Sequence, residues 1–160
     1  MYLTTSRKPS PETKRLCEAL ASLVPFCVFE NRGKKGIEDV IAQCRMLGKS
    51  RACFVYEAKG NPSRIAFAKV SHKGWDWMLP EIAILGNCKL KLKGGKQPAA
   101  LEFQGSHAGA MKELLSPLSG EGAEHEDTVV LVAEDERISF MKMGKEAYWM
   151  RVSYEMTHRE

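Results

Sequence analysis

Apolar and polar positions recur with two different periods along residues 1–70. Leu16, Cys17, Leu20 and Val24 return at helical spacing, opposite Lys14, Arg15, Glu18 and Ser22. Ser10 suits the N-cap of that helix, with Pro11 at its first position and Glu12 in its first turn, and Pro25 stops it. Ile37, Val40, Ile41, Cys44 and Leu47 predict a second amphipathic helix. Its charges follow the helix dipole, Glu38 and Asp39 at the start and Arg45 and Lys49 at the end, and Gly48 is a natural stop. Residues 2–5 and "FCVF" (26–29) read as short strands. "ACFVYEA" (52–58) and "RIAFAKV" (64–70) read as a hairpin across "KGNPS". The predicted order is β-α-β-α-β-β.

The second half is patterned less clearly. "CKLKLK" (88–93) alternates like a strand with Lys89, Lys91 and Lys93 on one face, and "AALEF" (99–103) is a candidate partner for it. That lysine face reads as an edge kept soluble. "HAGAMKELL" (107–115) suggests a helix, "SPLSGEGAEHED" (116–127) an acidic connection, and "TVVLVA", "RISFMKM" and "AYWMRVSYEM" three strands. Trp75 and Trp77 would share one face of a strand, where packing is a commoner role than base stacking. "RIAFAKV" and "RISFMKM" agree at Arg, Ile, Phe and Lys with an offset of 73 residues, which also lays "HAGAMKELL" over "KKGIEDVIA". Chance agreement would look the same over seven residues. The reading adopted is a duplicated α/β unit, with halves of about 1–80 and 81–160.

Composition narrows the class. With 44% hydrophobic and 28% charged residues in 160, the chain reads as one globular domain. No signal peptide is expected, and the longest apolar run (16–29) is broken by Glu18, Ser22 and Pro25, so no membrane span is expected either. Five cysteines without CxxC spacing, mostly at apolar positions, suggest reduced thiols in the cytoplasm and neither disulfides nor zinc. The net charge of +4 conceals an asymmetry: residues 1–80 carry +7 and residues 81–160 carry −3. A basic half points to an anionic partner, although a solvated surface would have the same charge.

The candidate site follows from topology. If the first three strands are parallel, their carboxyl ends share one edge of the sheet. The loops "TTSRKPS", "NRGKKG" and "KGNPS" then meet there, two of them leading into helix N-termini. Thr5, Ser6, Arg7, Lys8, Ser10, Asn31, Arg32, Lys34 and Lys35, supported by Lys59 and Arg64, would form a phosphate-binding rim. The plainer reading is that Ser10 only caps and the cations are only solvated. Other chemistry is sparse. "LGKS" (47–50) has Gln43 where a phosphate loop needs glycine and ends a helix instead of opening one. His72, His107, His125 and His158 are scattered without metal-ligand spacing.

"LTTSRKPS" before a helix, "ENRGKKGIEDVIAQCRMLG" and "FVYEAKGNP", in that order, resemble the Brix-domain family of ribosome-biogenesis proteins, particularly short archaeal, Imp-type members. The likeness is strong over residues 2–70 and faint beyond. It implies a non-catalytic factor that binds precursor ribosomal RNA and assists its processing or folding. It also implies two similar halves, each like the anticodon-binding domain of class II tRNA synthetases. Family members carry a basic, aromatic segment and a "GPR" near the last strands; here "ISFMKM" keeps only Lys142 and "GPR" is absent, so RNA contacts are not carried onto the second half. The expected partners are precursor ribosomal RNA and ribosomal or assembly proteins, with no membrane, cofactor, metal or small-molecule substrate. Two rivals remain: a scaffold whose acidic half docks a basic protein, and a metal-dependent RNA-processing enzyme using Asp39 and Glu57.

Overall fold

A computed structural model of the chain describes residues 1–87, 89–91, 96–115 and 127–159. Its elements run β1 (Tyr2–Thr5), α1 (Pro11–Leu23), β2 (Val28–Phe29), α2 (Ile37–Met46), β3 (Arg51–Ala58), β4 (Asn61–Val70), β5 (Trp75–Asn87), β6 (Ala100–Gln104), α3 (Ala108–Leu115), β7 (Thr128–Glu134), β8 (Arg137–Lys142) and β9 (Lys145–Glu155). The nine strands form one mixed sheet in the order β2-β1-β3-β4-β5-β9-β8-β7-β6.

The first three strands are parallel, with β1 between β2 and β3. The chain therefore crosses one way from β1 to β2 and back past β1 to β3. Crossovers of one hand that reverse direction put their helices on opposite faces. Leu16, Cys17, Leu20 and Leu23 of α1 accordingly pack with Leu3, Cys53 and Val55, whereas Val40, Ile41 and Cys44 of α2 pack with Tyr2, Ala52 and Phe54. Strand alternation assigns Tyr2 and Leu3 to the two faces.

From β3 to β7 every pairing is antiparallel. The β3–β4 turn is tighter than "KGNPS" suggested: Ala58 pairs with Asn61, and Lys59 and Gly60 alone turn the chain, both at positive φ. Pro62 is tolerated inside β4 because it lies beside the bulge at Tyr56/Glu57. "FCVF" contracts to Val28–Phe29, since Phe26 takes a left-handed conformation in the preceding turn and is exposed. Gly48, at φ 68°, follows the end of α2 as expected.

Two expectations for the second half are corrected. β5 is a strand of 13 residues that the sequence pattern did not reveal beyond Trp75 and Trp77, because Pro80 interrupts it; a register shift opposite Ile65 and Phe67 absorbs the irregularity. β6 pairs in parallel with β7, and among the described residues not with residues 89–91. Residues 89–91 are not a strand, and Lys91 instead pairs with Glu146 at 3.4 Å. The rest of "CKLKLK", including Cys88 and Lys93, and the acidic connection with His125 lie outside the described residues, apart from Asp127.

α3 packs Met111, Leu114 and Leu115 on the face that carries α1, not on that of α2 to which the 73-residue offset assigned it. The turn before it needs Gly105: φ is 97°, and a Cβ there would meet the Ala133 carbonyl oxygen at 2.3 Å. A single apolar core, from Leu3 and Leu16 to Leu131, Phe140 and Val152, runs under α1 and α3 through both halves, and position 80/81 falls within β5. Cys17, Cys27, Cys44 and Cys53 are buried free thiols. Burial pushes the Cys27 and Cys44 thiols up to about 11 and raises those of Cys17 and Cys53 as well, so none is a nucleophile at neutral pH. Among the described residues no helix is long and apolar enough to cross a membrane.

Candidate nucleic-acid interface

Because β1, β2 and β3 are parallel, their carboxyl ends do share one edge, and direct bonds tie the loops leaving them. The Thr4 hydroxyl donates to the Glu30 carbonyl at 2.8 Å, and the Arg32 N–H reaches Thr5 Oγ1 at 3.5 Å. The Ser6 N–H donates to the Val55 carbonyl at 2.9 Å. Glu57, near the end of β3, accepts from the Ser10 N–H at 2.9 Å and the Thr13 hydroxyl at 2.6 Å.

The rim residues divide into two groups. Thr5 is fully buried and Arg32 is 8% exposed; Arg32 Nε donates to the Lys35 carbonyl at 3.0 Å, and its guanidinium lies 5.7 Å from the Phe54 ring centre. Lys35 is held by Glu30 and the Tyr2 hydroxyl, each at 3.3 Å. Ser10 caps α1, its hydroxyl accepting from the Thr13 N–H at 3.2 Å. Ser6 Oγ is buried without a partner among the described residues. Arg64 pairs with the buried Glu81 at 3.0 Å and lies over the Tyr56 ring. Thr5, Arg32, Lys35 and Ser10 thus shape the loops, while Arg64 ties β4 to β5. Arg7, Lys8, Asn31, Lys34 and Lys59 are exposed, and the four cations among them make no ion pair among the described residues.

The helix N-termini are not vacant, contrary to the reading that offered them to phosphates. Glu57 lies at the start of α1, and the Asp39 carboxylate accepts from the Gly36 N–H at 2.9 Å at the start of α2. Both carboxylates that the sequence offered to a metal therefore serve as caps, and no metal-binding group of three or more His, Cys, Asp or Glu occurs among the described residues. Glu57 was the missed organiser of the site. Its partners lie 44 and 47 residues away, beyond the reach of any periodicity.

The Ser10 N–H and then the Thr13 hydroxyl hold Glu57 below its ordinary value of 4.5, and the Tyr2 hydroxyl followed by Lys35 does the same for Glu30. A carboxyl depressed by folding contributes stability that is fully present above its unfolded value and is lost as pH falls through the folded one. The rim loops should therefore loosen below about pH 4.5. Carboxyl NMR titration should show Thr13→Val moving Glu57 back toward its ordinary value; an unchanged Glu57 titration would refute this capping role.

The other parallel pair, β6 and β7, ends at the opposite edge of the sheet, and there the turn residues Glu134, Asp135 and Glu136 are exposed and acidic. His107 is stacked on Tyr154 and contacts Asp135 at 2.9 Å. Three acidic residues of the second half thus cluster at this turn, on the edge away from the basic rim.

The fold is shared with solved archaeal proteins. A probable ribosomal biogenesis protein from Aeropyrum pernix superposes with a TM-score of 0.79 at 20% identity, covering 98% of this chain and 96% of the other. An archaeal Imp4-like protein superposes at 0.71 with 23% identity, covering 98% and 100%. The chain is a homologue of the archaeal proteins named probable Brix domain-containing ribosomal biogenesis protein. It is 31% identical over 78 residues to that of Thermococcus kodakarensis and 39% over 67 residues to that of Methanothermobacter thermautotrophicus. These matches cover 49% and 42% of this chain but only 38% and 40% of the relatives' length. No protein-family model matches the chain.

Proposed function

We propose that the protein binds precursor ribosomal RNA along the basic edge and assists its processing or folding as a non-catalytic assembly factor. One observation carries this reading: Arg7, Lys8, Lys34 and Lys59 are exposed together on one edge and make no ion pair among the described residues, while Arg32, Lys35 and Ser10 beside them are engaged. Exposed cations on a rigid frame suit phosphates, which position an RNA without reading its sequence. Specificity then comes from RNA shape or from a ribosomal or assembly protein. The names of the homologues agree with such a role, which needs no cofactor, metal or small-molecule substrate. The buried thiols suit a reducing cytoplasm.

We also infer that the halves arose by duplication and resemble synthetase anticodon-binding domains. In favour, β4 and β8, which carry the matching "RI.F.K" segments, each flank the central β5–β9 pair. By position α3 would then correspond to α1, leaving β2 and α2 without a counterpart.

Crosslinking in native cells, followed by sequencing of the attached RNA and mapping of the peptides, tests the function. The expected result is precursor ribosomal RNA attached to peptides covering residues 5–10 and 31–36. Crosslinks dominated by transfer RNA, or the absence of RNA, would overturn it.

A further inference from the structure

Residues 156–159 leave β9 and turn back across the sheet face that carries α2. There the His158 imidazole stacks on Trp77, with ring centres 4.2 Å apart and planes within 20°. Its Nδ1 contacts the Glu81 carboxylate, which is 1% exposed. A carboxylate only accepts, so the imidazole nitrogen is the donor. Arg64 Nη1 completes the cluster, donating to Glu81 at 3.0 Å and to the Arg159 carbonyl at 2.7 Å. A flat ring is thus stacked on an indole and donates an N–H to a buried carboxylate, beside an arginine. A nucleobase would be held in the same way.

We propose that the place filled by His158 is a nucleobase site, closed in this structure by the strap of residues 156–159, and that its ligand is an unpaired guanine of RNA. Glu81 selects a base edge made of donors, and guanine offers two adjacent ones at N1 and N2. Withdrawal of the strap would free Arg64 from the Arg159 carbonyl to meet the nucleotide's phosphate. Arg64 lies opposite Tyr56, one position from the Glu57 that organises the rim, so a strand following the rim passes the site. The site deepens the RNA-binding reading and rests on it for the source of the base.

The test uses the full chain with His158→Ala, titrated with guanosine and uridine 5′-monophosphates. Tryptophan fluorescence and the indole N–H resonance of Trp77 report binding. Removal of a tethered plug should tighten guanosine monophosphate binding by about tenfold or more, shift the Trp77 resonance and favour guanine over uracil. His158→Phe, which keeps the stacked ring, should stay closed and bind no better than the original protein. No gain in His158→Ala, or equal gains for both nucleotides, would overturn the site. If RNA binding through the rim persists without any gain for guanosine monophosphate, the base site falls alone. If guanosine monophosphate binds while RNA does not, the rim reading falls and the pocket stands.

Discussion

Reversing Arg7 and Lys8 together (R7E, K8E) is expected to weaken binding to structured RNA uniformly across sequences and to flatten its salt dependence. Both side chains are exposed on the rim and engage no carboxylate, so reversal leaves the loop's own bonds intact. Each phosphate contact contributes about 0.7 to 0.9 to the slope of log affinity against log salt, through release of condensed counterions. Losing two contacts should lower that slope by about 1.5 and, with added repulsion, cost about ten- to a hundredfold in affinity at moderate salt. Filter binding between low and moderate salt measures both. An unchanged slope would mean that the rim does not hold phosphate. Arg32→Gln should act differently, through folding, because its guanidinium is spent on the Lys35 carbonyl and the Phe54 face.

Leu114→Ala is expected to destabilise the entire molecule by about 2–5 kcal/mol, a large share of the stability of a domain this size. Leu114 is fully buried in the core that α3 shares with α1, so the cavity opens beneath residues of both halves. Arg51 adds a cross-link, its Nε donating to the Glu113 carbonyl at 3.1 Å, and Gln97 donates to the Ala21 and Cys27 carbonyls at 2.7 and 2.6 Å. Urea unfolding followed by circular dichroism and tryptophan fluorescence should give coincident transitions, shifted together by the substitution. Separate transitions, with Leu114→Ala moving only one, would show that the halves are energetically independent.

Local pattern was sufficient for much of this protein. Helix periodicity with Ser10, Pro11 and Gly48 placed α1 and α2, since the residues that decide a helix lie within a few positions of one another. Alternation and turn residues placed β3, β4 and the last three strands. The β-α-β-α-β order, with its fixed crossover hand, then brought the three loops to one edge, and the motifs on those loops carried the family likeness. Tertiary structure decided what depends on partners distant in the chain. Thirteen-residue β5 survives Pro80 because its neighbour β4 shifts register opposite it and β9 pairs only from Glu81 onward. β6 took β7 as a parallel partner across α3, a pairing between segments more than twenty residues apart. Burial turned Arg32 inward, and Glu57 closed the helix end that the sequence left open to a phosphate. Glu81 and His158, 77 residues apart, meet only because β5 and β9 are neighbours at the centre of the sheet. Sequence period reports contacts made within a turn or along a strand; the pairing of strands decides which distant charges share a site, and that is fixed only when the whole sheet closes around its core.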